Sequence, residues 1–588
     1  MRSTFSGLNT MVRGVFANQL SLDTVGHNIT NASTEGYSRQ SVNQAATRAL
    51  EVPSIYGNVL VGTGVDAMSL QRARNIYADK QYWAETSTHE YYKAAQVNYD
   101  KLEAIFDDSD KTGVKTAMDL FYRAWSDLST NASTDSNRVT VIEKGNIFVD
   151  KMTTAAAQLQ DQINAQYDDI RVHLTTINDI NDQIVELNKN IMGAEAVGAS
   201  ANDLRDQRDL LVDKLSTYMN INVYEDDKGM YTLVSNGISM VNGINKLTLE
   251  MSDPITNQDY GLNDYSIQIK ESGIAFIPQN GALRAELDTI AEDKGYIDSL
   301  ADMAAFMMTT FNTMHQQGAG IDGTDKNIGP YNNIDTYTGP TYGINFFGDN
   351  NTVYTWDAAN DCVVATEYTN DSINRSLEYS ETTVNGTVIR TPIVNITGDE
   401  NSVTNLKGMN ILNAMRINSK LTAAGGTSLV AARKLSVEED VSENGGAYEG
   451  TYNVKADGSK DGTNAVNISS LFNLAVENVS STATVRYKGT PVDMNSRSIN
   501  DISLNAYYQS VMSQLGTDAA SIDTKESAQD DLITQIVNWR SSTSGVDWNE
   551  ELTNMITFQK GYSACSRCLT TMDEMLDRLI NSTGVVGR

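Results

Sequence analysis

The sequence predicts an α+β, multidomain protein. We expect a discontinuous helical-bundle or coiled-coil rod built from both ends of the chain, with β-rich domains inserted in the middle. One observation behind this is the proline distribution: no proline lies between Pro53 and Pro254 or after Pro491, and only seven occur in 588 residues. Because proline breaks helix interiors, both regions can hold long helices.

The centre, roughly residues 221–500, has most of the prolines and is rich in Gly, Asn, Asp and Thr. Short runs rich in β-branched and aromatic residues, such as 231–234 and 265–269, predict strands there. We therefore expect β-rich outer insertions at residues 221–283 and about 319–499. The helical rod is expected from residues 41–220, about 284–318 and 500–544, and a terminal-helix domain from residues 1–40 and 545–588.

Each end of the chain carries an apolar seam, by which we mean apolar residues spaced alternately three and four apart. Near the start the seam residues are Leu8, Met11, Val15, Leu22, Val25 and Ile29, interrupted by Asn18. Near the end they are Met555, Phe558, Tyr562, Cys565, Leu569, Met572, Leu576 and Leu579. This C-terminal seam would be about 37 Å long as a helix. Lone helices of this kind are marginal in water, so we expect the two ends to order against each other or against neighbouring subunits.

Further helices are predicted inside the chain. A third seam consists of Leu159, Ile163, Ile170, Ile177, Ile184, Leu187 and Ile191, and stops near Gly193. A helix at about 201–218 would complete an antiparallel hairpin with it. Two more amphipathic helices are indicated by Leu287, Ile290, Ile297, Leu300, Ala304, Met307 and Phe311, and by Leu504, Tyr508, Val511, Leu515, Ile522, Leu532 and Ile536.

The chain is strongly acidic: 75 acidic against 44 basic residues give a formal charge of −31. This argues against nucleic acid and against an anionic membrane surface as partners. No stretch approaches 18 consecutive apolar residues, so no membrane span is expected. The N-terminus lacks a secretory signal pattern, which taken alone indicates a cytoplasmic protein but does not exclude export with an intact N-terminus.

No catalytic, metal or cofactor site is expected. Cys565 and Cys568 have the spacing of a redox or metal pair, but they lie in a helical pattern without a second ligand pair, so packing is the favoured interpretation. His27 could be a ligand or an acid-base group, and we favour a polar position beside a helix end. The paired acids at 107–108 and 550–551 are interpreted as solvated or helix N-terminal charges. We therefore predict that the protein is not an enzyme.

The stretch 17–40 resembles the N-terminal signature of bacterial flagellar axial proteins. Its core is Asn28-Ile29-Thr30-Asn31-Ala32 followed by Gly36-Tyr37-Ser38-Arg39-Gln40. Three later stretches resemble the hook-associated protein 1 family of such proteins: 201–211 (ANDLRDQRDLL), 312–318 (NTMHQQG) and 545–577. The resemblance extends over roughly residues 1–320 and 500–588. Cys565 and Cys568 stand where small or aliphatic residues are expected in that family.

The resemblance implies a structural adaptor of the flagellum that joins the hook to the filament. In such proteins the terminal helices line the central channel as an inner tube. Their partners are further copies of the chain in a ring or helical layer, hook protein, hook-associated protein 3, and an export chaperone on the C-terminal helix. They reach the flagellum outside the cell by type III export from the cytoplasm, without signal cleavage.

On this interpretation the two terminal seams carry polymerisation, and residues 28–40 form the bend out of the inner tube. The signature residues expected there are Asn28, Ile29, Asn31, Gly36, Tyr37 and Arg39. Two alternatives stay open. One is another flagellar axial protein, such as hook protein or hook-associated protein 3. The other is a flagellar scaffold that carries an adhesin or an enzyme within residues 320–500.

Overall fold

The structure is a computed structural model. It describes residues 6–54, 57–108, 112–316, 318–322, 344–348, 352–357, 362–367, 374–384, 387–397, 407–440, 451–473, 485–487 and 502–582. The region 320–500, in which the second alternative places an adhesin or an enzyme, therefore lies partly outside the described residues, as do the first five and last six residues. The side chains of Cys362 and Leu579 also lie outside the described part.

Helices form most of both ends of the described chain. Their bounds are α1 (Ser6–Thr30), α2 (Ile76–Ile105), α3 (Val114–Thr130), α4 (Asp135–Ala196), α5 (Asn202–Tyr218), α6 (Ala282–Phe306), α7 (Asn312–Gln316), α8 (Met409–Ala414), α9 (Ser419–Thr422), α10 (Thr463–Ser470), α11 (Leu504–Ser544) and α12 (Trp548–Ser582). The longest, α4, has 62 residues and spans roughly 90 Å. A π-helical turn, Met307–Phe311, joins α6 to α7.

The strands form small sheets, nearly all antiparallel. Between α1 and α2 the strands are β1 (Gln40–Ala46), β2 (Leu50–Ser54), β3 (Gly57–Val61) and β4 (Val65–Arg72). Between α5 and α6 they are β5 (Asn222–Glu225), β6 (Tyr231–Ser235), β7 (Ile238–Asn242), β8 (Asn245–Lys246), β9 (Leu249–Met251), β10 (Ile255–Asn257), β11 (Leu262–Asp264) and β12 (Ile267–Ile269). Those that follow are β13 (Gly318–Ala319), β14 (Thr352–Asp357), β15 (Cys362–Glu367), β16 (Asn374–Val384), β17 (Thr387–Thr397), β18 (Arg433–Asp440), β19 (Thr451–Ala456) and β20 (Val485–Tyr487).

The sheets connect neighbouring segments of the chain. β1 pairs with β4 and β2 with β3, while β5 to β8 form a four-stranded sheet in chain order. β9 pairs with β12 and β10 with β11. Further along, the orders are β14-β15, β13-β18-β19 and β16-β17-β20, in which β17 and β20 are parallel. The predicted α+β architecture, with helical ends and small sheets in the middle, is confirmed.

A helical bundle of α2 to α6 holds the main core. The predicted seam of α4 lies on its buried face, where Leu159, Ile163 and Ile177 are fully buried. α5 follows as the second arm of the predicted hairpin and packs on α4 and α2. α11 lies along α2, and α3 packs between α4 and α10. The chain therefore builds one bundle from three separate parts of its sequence.

The expected helical rod differs from the structure at its N-terminal end. Residues 40–72 form the strands β1 to β4 rather than helix. This stretch contains Pro53, glycines at 57, 62 and 64, and several β-branched valines. Proline and glycine disfavour helix interiors and valine fits a pleated strand, so local composition explains the hairpins.

Candidate functional site

The two terminal helices, α1 and α12, pack against each other in opposite directions. A methyl group added at Gly7 would lie 3.0 Å from Met572, and one added at Gly14 would lie 3.0 Å from the Cys565 sulfur. At the other end of the pair, the Asn28 amide donates to Glu551. As residue numbers rise along α1, those of its partners fall by the same steps along α12. Glycines at the contact let the two backbones approach closely.

The N-terminal seam is only half covered in this pair. Of its residues Val25 is buried, whereas Leu8, Met11, Val15, Leu22 and Ile29 remain partly exposed. The most buried positions of α1 are instead Gly14, Ala17, Ser21, Thr24, Val25 and Asn28. The face that α1 buries within the subunit is therefore rotated from the apolar seam toward small and polar residues. β1 and β4, which also contact α1, cover part of this face.

The C-terminal seam is covered to a similar extent. Met555, Phe558, Cys565, Leu569, Met572 and Leu576 are half-buried, and Tyr562 is exposed. Cys565 lies at the contact with α1, and Cys568 is exposed. The place of Cys565 opposite Gly14 agrees with a packing role. The structure thus brings the two predicted seams to one helix pair, and leaves their role in subunit packing as a prediction.

Asn28 is the centre of the predicted signature stretch. Its side chain is buried, and its amide nitrogen donates to the Gln40 carbonyl at 2.9 Å and to Glu551 at 3.0 Å. Its amide oxygen accepts from the Tyr37 hydroxyl at 2.8 Å and from the Gln40 backbone N–H at 3.0 Å. One side chain therefore closes the turn after α1 and ties it to α12.

Arg39 makes the second link between the turn and α12. Its guanidinium donates to Glu551 at 2.8 Å and to Glu550 at 2.6 Å. Its backbone N–H donates to the carbonyl of Ser544, the last residue of α11. Glu551 is 1 % exposed and lies in the first turn of α12, so of the two predicted roles it is a helix N-terminal charge and not a solvated one. A buried carboxylate of this kind is stable because Arg39 and Asn28 both satisfy it.

The other face of the turn is fixed to α5. The Ser38 N–H donates to Asp206 at 2.9 Å, and the Gln40 amide donates to Asp203 at 2.7 Å. Gly36 adopts a φ of +78° beside Leu210, a backbone conformation that favours glycine. Two stretches that stand far apart in the sequence, 28–40 and 201–211, therefore meet directly.

A dense charge cluster lies beneath this contact. Arg72 and Arg74, at the end of β4, face three aspartates of α5 and one of α2, and Arg540 of α11 joins them. The aspartates are Asp79, Asp206, Asp209 and Asp213. The nitrogen–oxygen distances are 2.7 Å for Arg72–Asp206 and 2.9 Å for both Arg540–Asp79 and Arg540–Asp213. These ion pairs hold together four separate segments of the chain: the end of β4, α2, α5 and α11. We call this cluster, with Asn28–Gln40 and Ser544–Glu551, the terminal junction.

Burial and pairing move the pKa values of these groups in different directions. Burial raises the pKa of Asp206 and of Asp213 despite their arginine partners. Burial also acts on Asp209, but the charges of Arg74 and Arg72 outweigh it and lower the pKa of that carboxyl. The pKa of Tyr37 is raised by burial and by the nearby acids Asp203, Asp206 and Glu551. The cluster is therefore a structural ion network rather than a set of groups poised to exchange protons.

Sequence reasoning found the turn and α5 but missed the arginines that join them. Arg72, Arg74 and Arg540 stand in no recognised stretch, and their partners are distant in the chain, except that Asp79 follows Arg74 by five residues. The favoured interpretation of His27 agrees with the structure, in which its ring nitrogen lies 3.0 Å from the Tyr37 hydroxyl beside the end of α1. Ile29 and Asn31 are partly exposed, and the Asn31 amide donates to the His27 carbonyl.

The stretch 312–318 has a separate anchoring role. Asn312 is buried and bonds the backbone of both Phe346 and Phe347. His315 is also buried, and its ring lies 2.7 Å from the Ile344 carbonyl and accepts from the Ala431 N–H. These bonds fasten the returning middle of the chain to the bundle.

A cleft of about 580 Å³ opens beside the terminal junction, between β4, α2, α5 and β5. Its wall includes Arg74, Asp79, Asp209 and Tyr231, which already bind one another or their neighbours. Among the residues that the structure describes, no group of three or more His, Cys, Asp or Glu side chains could hold a metal ion. No described helix is long and apolar enough to cross a membrane.

Comparison with known proteins shows that the chain is similar to flagellar proteins. Residues 99–329 match the model of the flagellar hook-associated protein FlgK helical domain, and residues 540–582 match that of the flagellar basal body rod FlgEFG protein C-terminal region. Flagellar hook-associated protein 1 of Bacillus subtilis (strain 168) is 25% identical, and the alignment covers all of both chains. The protein of that name from Escherichia coli (strain K12) is 24% identical, over 98% of this chain and 99% of its own.

The fold agrees with a solved structure. The flagellar hook junction protein FlgK from Burkholderia pseudomallei superposes with a TM-score of 0.54 at 15% identity. The match covers 79% of this chain and 100% of that protein. The family models match much of the helical bundle and most of α12. The Bacillus subtilis relative aligns along the whole chain, so its match also includes the terminal junction.

Proposed function

We infer the role of this chain from the premise that it belongs to the flagellar hook-associated protein 1 family, and is thus a structural component of the bacterial flagellum. We propose that it joins the hook to the filament and polymerises through α1 and α12. The model that matches the helical bundle is that of FlgK, and the relatives that align along the whole chain carry the name hook-associated protein 1, which favours the junction role over the other axial proteins. No described observation favours an enzyme or an adhesin.

The observation that carries this proposal is the outward side of the terminal helix pair. On α1, Phe16 is 66% exposed and Leu20 is 42% exposed. At about 100° per residue, Phe16 lies roughly opposite Gly14 and the face that contacts α12. On α12, Leu552 and Ile556 are similarly exposed and lie roughly opposite Cys565. The pair therefore exposes apolar side chains on both of its outer sides.

These two apolar sides are different surfaces that point in different directions. An isologous dimer uses the same surface on both copies, whereas two unlike surfaces produce head-to-tail contacts that close into a ring or continue as a helix. Each Phe, Leu or Ile that becomes fully buried in such a contact contributes about 1.5–3 kcal/mol. We propose that the side of α1 with Phe16 packs on the side of α12 with Ile556 in the next copy.

The terminal junction suits a subunit that transmits force. It fixes the terminal pair to the bundle through Arg39, Asn28 and the arginine–aspartate network rather than through a flexible linker. We propose that hook protein and hook-associated protein 3 lie on either side of the layer. We further propose that the chain passes through the type III apparatus without signal cleavage, and that a chaperone covers the apolar side of α12 beforehand. The exposed Met575 and Ile580 support that last step.

Cysteine cross-linking in isolated flagella tests the proposed contact. In a background without the three native cysteines (Cys362→Ser, Cys565→Ser, Cys568→Ser), Phe16→Cys and Ile556→Cys would be combined in one chain. We expect oxidation to give a ladder of linked subunits, because each copy then presents both partners of a head-to-tail contact. Thr30→Cys with Ile556→Cys is the matched control, since Thr30 is exposed about 21 Å further along α1.

Two outcomes would count against the proposal. Motile cells whose flagella give no ladder would show that these two sides do not meet. Linked dimers from Phe16→Cys alone would show an isologous contact instead. A charge at the same site, Phe16→Asp, should abolish motility, whereas Phe16→Leu, which keeps an apolar side chain there, should preserve it.

A further inference from the structure

A second polar cluster lies inside the bundle, well away from any arginine network. Asp293 of α6 is completely buried, and its carboxylate accepts from Asn98 of α2 at 3.0 Å. It also accepts from Gln162 and Gln166 of α4 at 3.1 and 3.0 Å. All three amide side chains are themselves buried. One carboxyl group therefore joins the three long helices of the bundle where they cross.

The cluster holds a carboxylate with neutral partners alone. Within the described residues, no lysine or arginine forms an ion pair with Asp293, and Lys294 is directed to Asp264. The titratable groups next to it are an acid and a phenol of its own helix, Glu292 and Tyr296. Tyr99 of α2 and Asp518 of α11 face that pair, and neither brings a positive charge. From α4, Tyr167 donates to Asp264 instead. Moving an unpaired charge out of water is costly, and such groups bind a proton to avoid it.

The amides can accommodate that proton. Gln162 and Gln166 both donate to the Asn98 oxygen as well as to Asp293. The two glutamine amides therefore share the same two acceptor groups. The Gln166 oxygen is buried and has no hydrogen-bond partner in this arrangement. The oxygen and nitrogen of an amide can exchange places by a half-turn of the side chain. A protonated carboxyl, which can donate one bond, therefore finds acceptors among the three amides.

We propose that Asp293 is a proton-binding site that couples the packing of α2, α4 and α6 to pH, so that the bundle is most stable in mildly acidic surroundings. The proton is taken up from solvent as the chain folds and released as the medium becomes alkaline. This holds whether or not α1 and α12 polymerise, since none of these residues lies in the terminal pair.

The direction of the effect follows from proton linkage. Burial raises the pKa of Asp293 from its ordinary 3.8 to about 7. Between these two values the folded chain binds a proton that the unfolded chain does not, so stability falls as pH rises through this window. His315 acts oppositely: burial lowers its pKa to about 4, so its contribution is lost as pH falls below about 6.5. The two effects partly cancel in the native chain, and a variant is needed to separate them.

The test is urea unfolding of the full chain and of Asp293→Asn between pH 4.5 and 8.5. The ratio of the unfolding constant of the native chain to that of the variant should rise by up to about tenfold per pH unit between pH 4.5 and 6.5, then level off. The His315 contribution is common to both chains and drops out. Asp161→Asn, an exposed position of α4, is the matched control and should give a constant ratio. A ratio for Asp293→Asn as constant as that control would overturn the proposal.

A measurement on the native chain covers the case in which Asp293→Asn does not fold. Infrared spectra of the folded chain, labelled with 13C-aspartate, report protonated aspartic acid directly. We expect a protonated band at pH 6 that disappears with a midpoint near 7. If no protonated aspartate is present at pH 6, Asp293 is ionised and the proposal fails.

Discussion

The helices α4 and α12 carry apolar residues at the same spacing, but they bury these residues to different extents. On α4 the seam faces α2, α3, α5 and α6, and Ile163, Ile177 and Ile184 are fully buried. On α12 the corresponding residues, such as Leu569 and Met572, stay half-exposed because α1 is the main element that covers them. The spacing therefore identifies the apolar face of a helix, and the number of elements around it decides how much is buried within one subunit.

The largest effect on the free subunit is expected in α4. Ile163→Ala removes a fully buried side chain and leaves a cavity between several helices. We expect a loss of about 3–4 kcal/mol in the free energy of unfolding, measured by urea denaturation. Val172→Ala on the same helix is the control, because Val172 is 62% exposed and should change stability by less than about 0.5 kcal/mol. Equal losses at both positions would mean that the core of the bundle lies elsewhere.

An intermediate effect is expected at the terminal junction. Asn28→Ala leaves the Gln40 backbone and Glu551 without one of their partners. The cost of such unsatisfied buried groups is about 2–3 kcal/mol. Because the bundle does not depend on Asn28, we expect α1 and α12 to open locally while the urea midpoint of the bundle stays unchanged.

Hydrogen exchange resolved along the chain measures this opening. Amides of α1 and α12 should exchange faster in Asn28→Ala, and those of α4 should not. Ser33→Ala, at an exposed position of the same turn, should leave both unchanged. Faster exchange throughout the bundle would instead mean that the terminal pair and the bundle unfold as one unit.

How far the sequence predicts this structure differs between the two regions. The third seam, the α4–α5 hairpin and the strand at 231–235 follow from periodicity, because their partners are local. The buried face of α1 does not follow from periodicity, because contacts with α12 and β1 determine it. This face includes Gly14, Ser21 and Asn28 rather than the apolar residues beside them. The resemblance located both stretches of the terminal junction. Arg72, Arg74 and Arg540 could not be found in this way, because each of them also pairs with carboxylates that are remote in the chain.

The smallest effect on the free subunit, and the one that most sharpens the comparison, is expected in the C-terminal seam. Leu569→Ala shortens a side chain that is half-exposed in the subunit, so the free energy of unfolding should change by less than about 1 kcal/mol. If neighbouring copies complete the burial of this seam, as the sequence predicts, the same change costs more in the assembled layer. Flagella with Leu569→Ala should then dissociate at a lower urea concentration than native flagella, whereas Thr570→Ala, at the exposed next position, should behave as native. Dissociation of all three kinds of flagella at the same urea concentration would show that α12 gains no burial on assembly. The difference in burial between α4 and α12 would then persist in the assembled layer.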